Sequence, residues 1–182
     1  MVPKKVFFTK GVGKHTDELQ SFELSLRSAG IERCNLVYVS SILPPHCQII
    51  SKEEGISSLQ PGQITYCVMS RNYTNEPNRL IGAAIGAAVP KDEKAYGYIS
   101  ECHSYGIPKE KVGDTAERLA ATMLARTLGL DVEVSKSQEW SDLKKEYIMS
   151  GLIVKAMSTT QTAEGDKDGM YTTVIACAVF IE

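Results

Sequence analysis

The period of apolar and polar positions changes several times along this chain, and each change marks an element. Apolar residues from Lys5 to Thr9 predict a first strand, followed by a loop, "KGVGKH". A helix should open near Thr16, because Leu19, Phe22, Leu26 and Ala29 recur at helical spacing and predict one core-facing side. Asp17 and Glu18 in the first turn complement the helix dipole, and Gly30 is placed to end it. Two-residue alternation then predicts a strand from Cys34 to Ser41, with Val37 and Val39 half-buried. Another strand falls in "PGQITYCVMSR", with Ile64, Tyr66 and Val68 on one side, and a polar loop lies between the two.

"RLIGAAIGAAVP" fits neither element easily: its glycines disfavour a helix, its alanines a strand, and Pro90 ends either. A closely packed strand is the expectation. "KAYGYISECHSYG" alternates Tyr96, Tyr98 and Ser100 against Ile99 and Glu101, a further strand. Pro108 suits the first turn of a long helix to about Leu128, with an apolar stripe of Val112, Ala116, Leu119, Ala120, Met123 and Thr127 and with Gly129 closing it. The last third predicts a hairpin, "YIMSGLIVKAMSTT" and "MYTTVIACAVFIE" flanking the turn "EGDKDG". Strand, helix, several strands, helix and hairpin define an α+β layered sandwich rather than a βαβ nucleotide fold. No repeat, low-complexity tract or linker divides residues 1–182, so one domain is expected.

Composition narrows the function. The chain is 43% hydrophobic and 23% charged, enough apolar material for a sizeable core, with a formal net charge of -2. No Lys/Arg stripe is present, which argues against nucleic acid as a partner and favours small polar ligands or proteins. The opening "MVPKKVFFTKGVG" is too short an apolar stretch for a signal peptide, and no window has the apolar length to span a bilayer. A cytoplasmic protein without membrane contact is expected. Cys34, Cys47, Cys67, Cys102 and Cys177 are odd in number and dispersed, so reduced thiols, mostly in the core, are expected.

Three motifs suggest chemistry and fail. "GVGKHT" (residues 11–16) resembles a phosphate loop, but His15 separates Lys14 from Thr16, and Phe8 stands where the first glycine is needed. "DKDG" (166–169) lacks the remaining ligands of a calcium loop and reads as a turn. His46-Cys47 and Cys102-His103 are neighbours on extended chain, whose side chains point apart, so neither pair is expected to hold a metal.

"NLVYVSSILPP" (residues 35–45) differs. A strand stops in a serine pair, and two prolines that cannot continue a ladder follow. A serine hydroxyl one residue after a carbonyl can attack it in an N-to-O acyl shift, given a strained backbone and an oxyanion donor. β-Elimination from the ester would cut the chain and leave dehydroalanine, which hydrolyses to a pyruvoyl ketone. Most Ser-Ser pairs at strand ends are only polar loop residues, and the dipeptide alone does not decide.

The string closely resembles the processing site of the pyruvoyl-dependent arginine decarboxylases, and the likeness continues through "PPGQI"-like "QPGQI", "IGAAIGAAVP" and "GYISE" to the long helix and the end of the chain. The resemblance implies a β-sandwich flanked by helices (αββα) and trimers of processed αβ units with sites between subunits. It implies cleavage between Ser40 and Ser41, giving a β chain of residues 1–40 and an α chain of 41–182 headed by a pyruvoyl group derived from Ser41. Asn35 would orient the processing intermediate and contact substrate, Glu101 would be the catalytic acid, and Glu23 would recognise the guanidinium. L-Arginine would form a Schiff base with the ketone, lose carbon dioxide, be reprotonated by Glu101 and leave as agmatine, with no pyridoxal phosphate and no metal. Some relatives carry Asp where Glu23 stands, so a pyruvoyl decarboxylase for another amino acid is the nearest alternative. An unprocessed small-molecule-binding or scaffold protein of the same fold is the alternative from another class.

Overall fold

A computed structural model describes residues 2–129, 144, 148, 151 and 153–182. Strands β1 (Lys5–His15), β2 (Asn35–Tyr38), β4 (Gln48–Ile49), β5 (Ile64–Thr74) and β9 (Tyr171–Ile181) form one sheet in the order β2-β5-β9-β1-β4. Strands β3 (Ile42–Leu43), β6 (Leu80–Pro90), β7 (Gly97–Tyr105) and β8 (Ile153–Glu164) form a second in the order β3-β7-β6-β8. Helices α1 (Glu18–Ala29) and α2 (Lys52–Ser58) belong with the first sheet and α3 (Lys109–Thr127) with the second. This is the α+β sandwich, layered helix-sheet-sheet-helix.

The alternation along β9 shows why the layers form. Ile175, Cys177 and Val179 face α1 and pack with Phe7, Ile31 and Cys67, whereas Ala176, Ala178 and Phe180 face the other sheet and pack with Ile85, Ile99 and Val68. A strand covered on both faces has no polar side, so "VIACAVF" carries no alternation of polarity to read.

Several expectations change. The first strand does not end at Thr9 but runs to His15, so "KGVGKH" is ladder, not loop. Its glycines are there because α1 lies directly on them: a Cβ at Gly11 would sit 2.0 Å from the Ser25 carbonyl oxygen, and one at Gly13 2.2 Å from that of Ser21. Contact this close selects small residues on the helix too, and its buried face is Ser21, Ser25 and Ala29, while Leu19 stands 72% exposed. The buried hydroxyls are satisfied, Ser21 Oγ sharing a hydrogen bond of 2.6 Å with Thr173 Oγ1 and Ser25 Oγ donating to Phe22 O. Asp17 stands before the first turn as the N-cap of α1, its Oδ1 accepting from Gln20 N–H at 3.0 Å, and Gly30 ends the helix at φ 82°.

The polar loop expected between the second and third long strands contains α2, too short and too polar to register as a periodic pattern. "RLIGAAIGAAVP" is the strand β6, with Gly86 held where a Cβ would lie 2.1 Å from Ala116 O of α3. Helix α3 buries Val112, Ala116 and Ala120 as expected, and Ala121 and Leu124 in place of Leu119, which is exposed. The hairpin is overturned: β8 pairs with β6 and β9 with β1 and β5, so the turn at 165–169 carries the chain from one sheet to the other. Both strands are long and well patterned, and pattern does not say which neighbour a strand chooses. Most of residues 147–152, which open the expected hairpin, lie outside the described residues.

Gly86→Ala should lower the free energy of unfolding by about 1–3 kcal/mol, because backbone rather than a yielding side chain blocks the methyl group. Urea denaturation of both proteins measures it.

Candidate active site

The serine pair stands where the chain leaves one sheet for the other. β2 is the edge strand of the first sheet, parallel to β5 from Asn35 opposite Ile64 to Tyr38 opposite Cys67, and Val39 N–H donates to Cys67 O at 3.0 Å as the last rung. Three residues later Ile42 pairs with Tyr98 in the second sheet. Ser40 and Ser41 bridge the layers. The expected strand to Ser41 is therefore too long, and Val37 and Val39 lie on an exposed edge, 39% and 36% exposed.

The crossing is tight. Ile42 N–H donates to Ser40 O at 3.0 Å, closing a three-residue turn centred on Ser41, and Ile99 N–H of β7 donates to Ser41 O at 2.7 Å. Pro44 and Pro45 follow, the first accepting from Cys47 N–H at 3.2 Å in a turn where His46 takes φ 57°. A mostly apolar cavity of about 530 Å³ lies beside Ser40, lined also by Val39, Ile42, Pro45, Tyr66 and Phe180 among others.

Glu101 lies two residues beyond Ile99 on the same face of β7. Desolvation pushes its carboxyl pKa up, and His103 opposes the rise. The carboxylate still meets solvent in the single chain, so the rise comes from the protein flanking it. Its charge reaches Tyr38 and Cys67, where it adds to the burial that raises both groups, the Cys67 thiol to about 12. Glu101 thus shares the face of β7 that Ile99 turns toward the first sheet.

Two residues without a sequence signal hold it there. Ser70 Oγ donates to Cys102 O at 2.7 Å and Asn72 Nδ2 to Ser104 O at 2.8 Å, so side chains of β5 reach across from the first sheet and tie down β7 directly after Glu101. Tyr38, which hydrogen-bonds Met69 Sδ at 3.4 Å, is a third residue at the site that the sequence did not single out.

The other two candidates stand elsewhere in the single chain. Asn35 is at the far end of β2, roughly 13 Å by strand rise from Val39, and its Nδ2 donates to Gly62 O at 2.8 Å. Glu23 is on the exposed side of α1, ion-paired with Arg27 one helical turn on. Ser41 and Glu101 are brought to one strand; Asn35 and Glu23 are not. Among the described residues no group of three metal-ligating side chains occurs, and no described helix is long and apolar enough to cross a membrane.

The serine pair is thus tied by its backbone to the strand that carries a carboxyl of raised pKa. The comparisons give the family. The model of the pyruvoyl-dependent arginine decarboxylases matches residues 5–182. The chain is 58% identical over 180 residues to the "Probable pyruvoyl-dependent arginine decarboxylase" of Chloroherpeton thalassium, covering 99% of this chain and 98% of that protein. It is 54% identical to "Pyruvoyl-dependent arginine decarboxylase 2" of Methanosarcina acetivorans (100% and 98% covered) and 52% identical to the "Pyruvoyl-dependent arginine decarboxylase" of Methanococcoides burtonii (100% and 99%). The chain belongs to the pyruvoyl-dependent arginine decarboxylase family, whose members are carboxy-lyases carrying a pyruvoyl group instead of pyridoxal phosphate.

Because the folded protein raises the Glu101 pKa, its ionisation opposes folding above the carboxylate range and contributes nothing at a pH where folded and unfolded chains are both protonated. Glu101→Gln should therefore raise the melting temperature slightly at pH 7, and the gain should vanish as the pH falls below the unfolded carboxylate pKa. Thermal denaturation across that range reads it.

Proposed function

We propose that this chain is a self-processing arginine decarboxylase that forms its pyruvoyl group from Ser41 and converts L-arginine to agmatine and carbon dioxide. The observation that carries the reading is the turn at the serine pair. Ser41 Oγ belongs to the residue after the Ser40 carbonyl, and that carbonyl's oxygen already accepts the Ile42 N–H at 3.0 Å. Attack by Oγ places negative charge on this oxygen, so the donor supports the state that leads to the ester. The Ser40–Ser41 C–N bond breaks in that step. Loss of the Ser41 α-proton then expels the Ser40 carboxylate, and hydrolysis of the remaining enamine releases ammonia and leaves the ketone.

The residues present fit such a group: the crossing fixes residue 41 through both neighbouring carbonyls, and its neighbours Ser40 and Ile42 line a largely apolar cavity. A pyruvoyl group there supplies a ketone that condenses with the substrate α-amine and takes up the electron pair released with carbon dioxide. Glu101, with its pKa raised, holds the proton to be delivered to the substrate α-carbon. Glu23 is assigned to the substrate's guanidinium by the family likeness, and its half-exposed carboxylate, now paired with Arg27, is accessible to one.

In one chain Asn35 and Glu23 lie away from Ser41, and this favours a site shared between copies, as in the homotrimer that the family resemblance implies. Each would then serve a neighbouring subunit's residue 41. The identity of relatives named for arginine, at 52–58% over nearly the whole chain, favours arginine over another amino acid as substrate.

Denaturing mass spectrometry of purified protein should give two species, residues 1–40 and 41–182 with the pyruvoyl terminus; a single uncut species in active material refutes the assignment. Ser41→Ala should remain whole and inactive. Glu101→Gln should still cut, with carbon dioxide release from arginine slowed by about 10²–10⁴-fold, and normal turnover would remove Glu101 from its role. Assays across other amino acids test the substrate.

A further inference from the structure

Two main-chain carbonyls flank the reacting residue, and each has its own amide donor. The Ile42 N–H meets Ser40 O, beside the bond that breaks. The Ile99 N–H meets Ser41 O at 2.7 Å, and this carbonyl lies on the other side of Ser41, away from the cut. Self-cleavage makes no use of it. The contact is at the short end of the range for an N–H···O bond. Its donor is also rigid: Ile99 is fully buried, packed with Leu43, Val68 and Ile85 between the sheets, and the strand is paired to β6 along its other edge.

We propose that the Ile99 N–H is an electrophilic catalytic group of the decarboxylation itself, donating to the carbonyl oxygen of residue 41 as charge develops there. The proposal rests on residue 41 being the pyruvoyl residue. When the C–C bond to the carboxylate breaks and carbon dioxide leaves, its electron pair moves toward the ketone carbon of residue 41 and spreads onto the adjoining carbonyl oxygen. The pair returns to the substrate α-carbon when that carbon takes its proton. The oxygen gains negative charge on the way to the transition state, so a donor already fixed on it stabilises that state more than the bound substrate. One short stretch of β7 then performs both halves of the chemistry, Ile99 receiving the charge and Glu101, two residues on, quenching it with a proton.

The test replaces Ile99 by its α-hydroxy acid counterpart, which keeps the side chain and turns one peptide N–H into an ester oxygen. Self-cleavage should go to completion by intact mass, and borohydride added with L-arginine should trap the same fraction of α chain as in the wild type. Against that unchanged loading, kcat should fall by about 10- to 100-fold with KM within about twofold. A fully cleaved ester protein with wild-type kcat overturns the proposal. If the ester protein does not fold, amide hydrogen exchange in the cleaved wild type decides. Protection of the Ile99 amide that deepens with bound arginine supports the contact, and exchange at the rate of a free amide overturns it. A wild type that never cleaves removes the pyruvoyl reading beneath the proposal, whereas a cleaved wild type beside an ester protein of unchanged kcat removes this proposal alone.

Discussion

The chain must pass from one sheet to the other within two residues, and the hydrogen bonds that fix this passage set the terms for everything around it. Val39 N–H ends the pairing of β2 with the first sheet, and Ile99 N–H takes the Ser41 carbonyl into the second. With both ends tied, the Ser40–Ser41 link has little freedom to relax. Each sheet is in turn held by its helix at very close range, Gly11 and Gly13 under α1 and Gly86 under α3. The two rigid layers keep the two ends of the crossing in place.

The same arrangement explains the position of Glu101. β7 is paired to β6 on one edge for most of its length, but β3 covers only Tyr98 and Gly97 on the other. Beyond Ile99 that edge has no β3 rung, and Glu101 stands there. Ser70 and Asn72 of β5 hold the same stretch of β7 from across the sandwich, through the carbonyls of Cys102 and Ser104.

Much of this was legible in the residues. The glycine that ends α1, the glycine-alanine strand β6 and the layered α+β class follow from local chemistry, whereas "NLVYVSSILPP" was given its role through family likeness. The length of β1 was missed because glycines at 11 and 13 were read as loop formers, when their role is to admit a helix; only the facing Ser21 and Ser25, themselves small and polar, hint at it. The separation of β8 from β9 was illegible for a different reason, since a turn of φ-permissive residues serves equally well within a sheet and between sheets. Ser70, Asn72 and Tyr38 carry no motif at all, and their place near β7 depends on how the two sheets stack. Asn35 and Glu23 were named through family likeness, and nothing in the geometry of one chain would have added them.

The proposed cut also has a consequence for the history of the folded protein. Residues 1–40 contain β1, which lies inside the first sheet with β9 and β4 on either side, together with α1 and β2. A break after Ser40 leaves this piece interleaved with the rest, and the native form persists as two chains. Once unfolded, however, the halves must find each other in solution, so reassembly becomes bimolecular and weakens on dilution. The intact precursor folds with all its parts on one string, and the finished enzyme inherits a shape that it reaches far less readily by itself.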